Sequence, residues 1–210
     1  MTNITTYFII VTLLLIVLSI FTKQTGKEKL FFIAKPLTML LIITLPLLEV
    51  REEYSAYAFL VMTGLIFSLL GDLFLLYPDR YFNNGLYSFL VAHILYILAF
   101  NQNVNSYYGA IVLPILIYMV IVLKYLLPKL GGMKYPVIIY MLVISVMVYS
   151  AWNNSIYFSN GLSLILTGAI LFAISDTVLA FNKFYKKFTL AEPIILSTYF
   201  IAQLLFVMSI

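Results

Sequence analysis

The 210-residue chain contains no cysteine and a single histidine. The absence of cysteine excludes disulfide bonds and thiolate-ligated metal sites. A lone imidazole, His93, also excludes any metal site that needs several histidines from one chain. Charged residues make up only 10% of the sequence, whereas they make up about a quarter of an ordinary soluble domain. The chain therefore lacks the polar surface that a water-soluble protein of this length needs.

The sequence is instead rich in long apolar stretches. Hydrophobic residues reach 64%, and stretches of about 20 apolar residues cross a bilayer as helices. Residues 7–21 have neither a basic segment before them nor a cleavage site after them, so they are interpreted as a first span rather than a signal peptide. The pattern predicts an all-α, polytopic transmembrane bundle of about eight spans, forming one domain in the cell membrane. The spans are predicted at residues 5–22, 30–48, 55–77, 83–100, 106–127, 134–151, 161–181 and 192–209.

The basic residues predict the orientation of the bundle. Ten of them lie in the odd-numbered connections, whereas the even-numbered connections hold only Arg51. Because lysine and arginine are enriched in cytoplasmic loops, both termini are expected outside. The same distribution explains the net charge of +4 without a nucleic-acid partner. No pattern in the sequence predicts the oligomeric state.

An internal repeat relates the two halves. Residues 64–77 and 168–181 align without gaps and share Gly, Ile, Asp and Leu at four positions, at an offset of 104. The shared aspartates are Asp72 and Asp176. With four spans in each half, the alignment favours a duplication that gives two parallel four-helix repeats, residues 1–104 and 105–210.

Ionisable residues inside the spans are the candidates for chemistry. An ionised carboxylate within the bilayer is costly unless it is paired or faces water. Asp72 and Asp176 lie roughly 9 Å and 7 Å to the cytoplasmic side of their span centres, at 1.5 Å per residue. Lys35 and His93 also lie within spans. These four groups are expected to converge in one cavity that opens toward the cytoplasmic leaflet.

Helical spacing places other polar residues on interior faces. His93 and Tyr96 share a face of the fourth span, and Tyr199 and Gln203 share a face of the eighth. Packing interpretations stay open for all of these groups. In that interpretation the aspartates are structural partners of Lys35 or of the backbone, and Lys35 itself can extend to the membrane interface. The other side chains then hold neighbouring helices together.

Several of these residues fall in a recognisable series. They are Lys35-Pro36, then Gly71-Asp72, Phe82, Gly85, Phe89, His93 and Tyr96, and finally Ser175-Asp176 and the Tyr199, Ala202, Gln203 pattern. In this series the chain resembles the lysoplasmalogenase family, the YhhN-like multi-pass membrane proteins, over spans two to eight. The resemblance implies an enzyme that hydrolyses the vinyl ether bond of lysoplasmalogens, which are lysophospholipids. The products are a fatty aldehyde and glycerophosphoethanolamine or glycerophosphocholine.

The resemblance also implies a polar core of Asp72, His93, Tyr96 and Asp176, with Lys35 as a further candidate. It implies neither a metal nor another cofactor.

A mechanism follows from the chemistry of the vinyl ether. Protonation of its β-carbon gives an oxocarbenium ion that water attacks, and glycosidases handle such an ion with two carboxyl groups. Asp72 and Asp176 are the hypothesised acid–base pair, and which is the acid stays open. His93 is expected to orient a carboxylate or relay a proton. The substrate-binding candidates are Lys35, Arg80, Tyr96, Tyr199 and Gln203, with Lys35 or Arg80 holding the lipid phosphate.

Three other functions use the same residues. A proton-coupled transporter of small molecules or lipids also needs buried acids and repeated halves. A metal-dependent lipid amidase would use Asp72, Asp176 and His93 as ligands. A non-catalytic scaffold leaves the two intramembrane aspartates unexplained.

Overall fold

The computed structural model describes residues 3–48, 55–158 and 163–210. Over those residues the chain forms eight long helices and no strand. With the short helical turns that continue four of them, all eight are long and apolar enough to cross a membrane. The predicted all-α, polytopic bundle is therefore confirmed. The helices are α1 (Asn3–Gln24), α2 (Glu28–Thr44), α3 (Ala56–Leu75), α4 (Pro78–Phe100), α5 (Val112–Leu126), α6 (Lys134–Tyr157), α7 (Leu164–Ala180) and α8 (Ala191–Met208).

Helix α4 begins earlier than the sequence predicts, at Pro78 instead of residue 83. Proline is favoured at the first helical position because its missing N–H would have no partner there. The backbone leaves the helical region at Tyr81 (φ −122°, ψ 20°), so the first turn meets the rest of α4 at a kink. Hydropathy misses this turn because Asp79 and Arg80 interrupt the apolar run.

Some predictions fall on residues that the structure does not describe. Arg51, the one basic residue in the even-numbered connections, is among them, and so are residues 161 and 162 at the predicted start of the seventh span. The location of the termini outside the membrane stays a prediction.

Two helical hairpins, α3–α4 and α7–α8, are built in the same way. A Cβ at Gly64 of α3 would lie 2.5 Å from the Tyr96 ring, and one at Gly168 of α7 would lie 2.6 Å from the Phe206 ring. Small residues let membrane helices approach closely where no hydrophobic effect drives them together. Ser55 caps α3 and Ser163 caps α7 in the same way, each accepting a backbone N–H three residues later. The duplication itself stays a prediction.

Apolar side chains form two separate clusters. The main core lies among most of the helices and is rich in fully buried aromatic rings, including Tyr96, Phe100, Phe172 and Phe206. A satellite cluster joins α5 to the start of α6 and is centred on Val122, Leu126, Leu130, Val137 and Met141. Helix α5 buries only Val122 and Leu126. It is therefore the helix that is most loosely attached to the bundle.

The glycine contact between α3 and α4 gives a stability prediction. Gly64→Ala would place a methyl group against the ring of Tyr96, which is 0% exposed and packed against Phe206. Because the ring has no space to move into, we expect the variant to unfold about 1–3 kcal/mol more easily. Thermal unfolding in detergent measures the loss.

Gly109→Ala is the matched control for this substitution. A Cβ at Gly109 would meet no heavy atom within 4 Å, so the control is expected to unfold at the wild-type temperature. Equal midpoints for the two variants would show that the α3–α4 contact is not tight.

Candidate active site

A cavity of about 640 Å³ opens at the end of the bundle where α1, α3 and α7 end and α2, α4 and α8 begin. Its deep wall carries Lys35, Asp72, Ser175, Asp176 and Tyr199. Its mouth carries Lys23, Asp79, Lys183, Lys187 and Glu192. The structure thus brings Lys35 and both intramembrane aspartates to one cavity, although they come from three different helices.

Asp72 is held in a buried ion pair. It is 1% exposed, and the Nζ atom of Lys35 lies 3.1 Å from its Oδ1 atom. The hydroxyl of Tyr199 donates a hydrogen bond of 2.7 Å to Oδ2. Charge-assisted contacts of this kind stabilise the carboxylate form of a buried acid. Lys35 therefore points inward to Asp72 rather than outward to the membrane interface.

The neighbours of Asp176 are different. The hydroxyl of Tyr140 donates a hydrogen bond of 2.6 Å to Oδ2, and Nε2 of His93 lies 3.5 Å from the same oxygen. In the described part of the chain, His93 is the one basic side chain within ion-pair distance of this carboxyl. The two aspartates consequently differ in a way that the sequence does not reveal. Asp72 has a fixed cation, whereas Asp176 has a tyrosine and a histidine.

His93 lies behind Asp176 and does not line the cavity. Its ring is 0% exposed and packs against Phe172 and Tyr140, with ring centroids 4.6 Å and 5.2 Å away. Since aromatic rings surround it, His93 reaches the cavity only through the carboxyl of Asp176. This position suits orientation of that carboxyl or proton exchange with it.

Tyr96 and Gln203 form a buried network next to Tyr199. The Tyr96 hydroxyl donates a hydrogen bond of 2.7 Å to Oε1 of Gln203 and lies 3.3 Å from the Ser68 hydroxyl. Both side chains are 0% exposed and neither lines the cavity. Their observed contacts join α3, α4 and α8, which agrees with the packing interpretation of these residues.

Arg80 also lies away from the cavity lining. Its guanidinium stacks over the ring of Tyr81, 5.1 Å from the centroid. Lys23, Lys183 and Lys187 hold the corresponding place at the mouth. From the sequence, these three lysines are interpreted only as signals of membrane orientation. A basic loop residue next to a span fits that interpretation as well as it fits a binding role.

Tyr140 is the deep residue that sequence reasoning missed. It lies on α6 within the apolar stretch that runs from Val137 to Ile144, where a tyrosine is indistinguishable from packing. No spacing relates it to Asp176, because the two residues meet only when α6 packs on α7.

No metal-binding cluster forms among these acids. Within residues 3–48, 55–158 and 163–210, no group of three or more histidine, aspartate or glutamate side chains could hold a metal ion. The ligand set that a metal-dependent amidase would need from Asp72, Asp176 and His93 is therefore not assembled in this part of the chain.

The family model of the YhhN family matches residues 30–210, which is most of the chain. The chain belongs to the YhhN family. The deep cavity residues all fall inside the matched range, whereas Lys23 of the mouth precedes it. The resemblance predicted from the Gly-Asp, His, Ser-Asp and Tyr-x-x-Ala-Gln series is confirmed.

Relatives within the YhhN family include named enzymes. Lysoplasmalogenase TMEM86A of Bos taurus is 32% identical over 161 residues, which cover 71% of this chain and 64% of the relative. Lysoplasmalogenase TMEM86B of Homo sapiens is 32% identical over 165 residues, covering 77% and 68%. The membrane protein YhhN of Escherichia coli O157:H7 is 27% identical over 197 residues, covering 92% and 93%. The match thus spans less than two thirds of the TMEM86A relative. No solved structure matches the chain.

Proposed function

We propose that this protein is a membrane-embedded hydrolase that cleaves the vinyl ether bond of lysoplasmalogens. The observation that carries the proposal is a pair of intramembrane aspartates on one cavity, Asp72 buried and Asp176 partly buried, with Lys35 paired to Asp72 but not to Asp176. Vinyl ether hydrolysis needs both a proton donor and a fixed negative charge for the cation that forms. The relatives named lysoplasmalogenase point to the same reaction.

In this mechanism Asp176 is the acid. Its proton adds to the β-carbon of the alkenyl chain, and the electron pair of the double bond forms the new C–H bond. A lone pair on the ether oxygen then makes the adjacent carbon an oxocarbenium ion. Asp176 suits this role because an acid without a neighbouring lysine holds a proton more readily in a buried site than an acid in an ion pair does.

Asp72 is the base. Its carboxylate stabilises the oxocarbenium ion and accepts a proton from the water that adds to it, which gives a hemiacetal. The hemiacetal hydroxyl then returns a proton to Asp176, and the C–O bond to glycerol breaks. The electron pair stays on the glycerol oxygen, which takes the proton from Asp72. One water molecule is consumed, an aldehyde and an alcohol are formed, and both aspartates recover their starting states.

The charges at the mouth suit a phospholipid head group. Lys23 and Lys187 line the mouth, where ammonium groups attract phosphate. Lys35 is held in a buried pair with Asp72, whereas the pair that Lys23 forms with Glu28 at 3.4 Å is accessible to solvent, so the mouth lysines are better placed than Lys35 to bind the phosphate. Glu192 lies on the same rim, where a positively charged head group would meet it, whereas the side chain of Asp79 is fully exposed and lies 3.7 Å from Lys183.

The named relatives favour a hydrolase over a transporter, since two of them are called lysoplasmalogenase. The fully buried rings of Phe100 and Phe206 pack against Tyr96 and close the interior beside it. A transporter is also closed to one membrane face in each of its states, so this packing is compatible with both functions.

The test compares two lipids that differ in one bond. Purified protein in detergent is given lysoplasmenylethanolamine or the matching ester-linked lysophosphatidylethanolamine, and aldehyde release is coupled to NADH oxidation. Release of glycerophosphoethanolamine, the product that both hydrolyses share, is measured from each lipid alongside the aldehyde, because an ester gives an acid and never an aldehyde. We expect glycerophosphoethanolamine from the vinyl ether lipid alone, together with aldehyde. If no head group of the vinyl ether series yields aldehyde, the proposed reaction is wrong.

Tyr199→Phe gives a graded prediction for the same assay. The variant removes the hydrogen bond to Asp72 Oδ2 but keeps the ring. Since a hydrogen bond to a charged group contributes about 1.5–3 kcal/mol, we expect turnover to fall by roughly tenfold to a hundredfold. Tyr57→Phe is the matched control, because Tyr57 bonds Ser209 and does not line the cavity. Equal rates for the two variants would remove Tyr199 from the site.

A further inference from the structure

A second pocket begins where the polar cavity ends. It lies between α4, α5, α6 and α7, and Asp176 and Phe89 line both this pocket and the cavity. Leu75, Phe82 and Leu179 also line both. The two spaces are therefore adjacent and share one wall, and Asp176 lies in that wall at their junction. We call the second space the apolar slot.

The apolar slot separates the two hydrophobic clusters of the protein. Phe89 and Ile144 of the main core form one wall, while Val122, Val137 and Met141 of the satellite cluster form the other. An interior that simply filled with side chains would join these clusters, because protein interiors are close-packed. The slot is instead a narrow interval of about 40 Å³ between two apolar surfaces, against about 640 Å³ for the polar cavity, so a hydrocarbon chain fits in it only if the surfaces move apart.

The few polar groups of the slot bond to one another near its junction with the cavity. The Tyr118 hydroxyl is hydrogen-bonded to the Thr177 hydroxyl, and the Tyr140 hydroxyl donates to Asp176. The rest of the lining is apolar. A space with this lining does not hold water well, because a buried water molecule needs several polar partners. Its chemistry fits a hydrocarbon.

We propose that the apolar slot binds the hydrocarbon chain of the substrate, with the head group in the polar cavity and the vinyl ether carbons beside Asp176. The inference rests on the proposed function and adds to it the location of the chain. A lysoplasmalogen has one chain, and its vinyl ether bond joins that chain to the polar glycerol. The reacting carbons therefore fall where an apolar slot meets a polar cavity.

The looseness of α5 gives the chain an entry route. One side of α5 exposes Leu113, Ile117 and Val120 to the membrane, and the helix buries only Val122 and Leu126. An outward shift of this helix would widen the slot and would have to break the hydrogen bond from Tyr118 to Thr177 of α7. Met141 in the satellite wall suits this motion, because methionine adapts its shape to its neighbours.

The slot predicts that Val122→Trp changes chain-length preference. The indole would fill the slot, so a long alkenyl chain would lose buried contacts, whereas a short chain that stays near Asp176 would keep them. We expect the ratio of kcat/KM for the long-chain substrate to that for the short-chain one to fall on the order of tenfold, which corresponds to about 1.4 kcal/mol. The measurement is aldehyde release from two lysoplasmenylethanolamines that differ only in chain length.

Ile115→Trp is the matched control. Ile115 is another β-branched residue on α5, two turns before Val122, but it lines a different groove that does not include Asp176. The control is expected to keep the wild-type ratio. A ratio that is unchanged in Val122→Trp, or lowered equally in both variants, would overturn the proposal.

A cross-linking experiment tests chain binding in the slot independently of hydrolysis. The probe is a lysophosphatidylethanolamine with a saturated ether chain that ends in a diazirine, so it binds without being hydrolysed. Illumination followed by peptide mass spectrometry is expected to find the label on α5 or α6, and less of it in Val122→Trp. Label on α1, α2 or α8 would contradict the slot even if the vinyl ether is hydrolysed. Label on α5 or α6 without any hydrolysis would support the slot and contradict only the reaction.

Discussion

Asp176→Asn is expected to lose nearly all turnover while keeping the fold. An amide cannot donate the proton that opens the vinyl ether, and a positioned general acid contributes about 10²–10⁴-fold to a rate. The carboxamide oxygen can still accept the hydrogen bond from Tyr140. Because no lysine among the described residues is paired with Asp176, the substitution leaves none of them without a partner. Aldehyde release and thermal unfolding of the same preparation measure both parts of this prediction.

Asp79→Asn controls for the loss of an aspartate near the cavity. The Asp79 side chain is fully exposed and lies 3.7 Å from Lys183. Since a fully exposed ion pair contributes little, turnover is expected to stay close to that of wild type. If Asp176→Asn keeps the rate of this control, Asp176 is not the acid.

Lys35→Met is expected to produce the largest loss of stability. It leaves the Asp72 carboxylate buried at 1% exposure without its cation. Removing one partner of a buried ion pair costs about 3–5 kcal/mol, because the remaining charge has lost its neutralising neighbour. We expect a much lower unfolding temperature in detergent and little or no aldehyde release.

The double variant Lys35→Met/Asp72→Asn separates stability from catalysis. It removes both charges together, so most of the lost stability is expected to return, since replacement of a whole buried pair is often close to neutral. Turnover is expected to stay absent, because the base is gone. A double variant that is as unstable as Lys35→Met would show that the pair is not coupled, and one with wild-type turnover would remove Asp72 from the mechanism.

The sequence predicts the spans well because apolar length is a local property. Each stretch meets the bilayer independently of its neighbours, so α2, α3 and α7 lie close to their predicted positions. Depth along a helix is also local, which is why Asp72, Asp176 and Lys35 could be placed at one level before their helices were assembled. Hydropathy fails where charged residues interrupt an apolar stretch, as Asp79-Arg80 do at the start of α4.

The sequence does not predict which side chains pair, because the pairing depends on how the helices rotate against one another. Lys35 could equally have faced the interface or an aspartate, and the structure turns it to Asp72. Tyr140 gave no signal at all until α6 packed against α7. Arg80 and the mouth lysines were equivalent as charges, but only the lysines line the cavity.

The helices that contact Asp72 and Asp176 are related in the way that the predicted duplication would require. Asp72 on α3 is contacted from α2 and α8, whereas Asp176 on α7 is contacted from α6 and α4. In two parallel four-helix repeats, α2 corresponds to α6 and α8 corresponds to α4. Each aspartate would then receive one partner from its own half and one from the other. The difference between the halves, a lysine in one and a tyrosine in the other, is what divides the base from the acid in our proposal.

Hydrolysis in heavy water tests the central claim most directly. The protein is incubated with lysoplasmenylethanolamine in deuterium oxide, and the aldehyde is reduced at once to the alcohol and analysed by mass spectrometry. Because the proposed acid protonates the β-carbon, the wild-type product is expected to carry a single deuterium at that carbon, and Asp176→Asn is expected to give almost no product. An aldehyde without deuterium at that carbon, or undiminished release by Asp176→Asn, would contradict the mechanism.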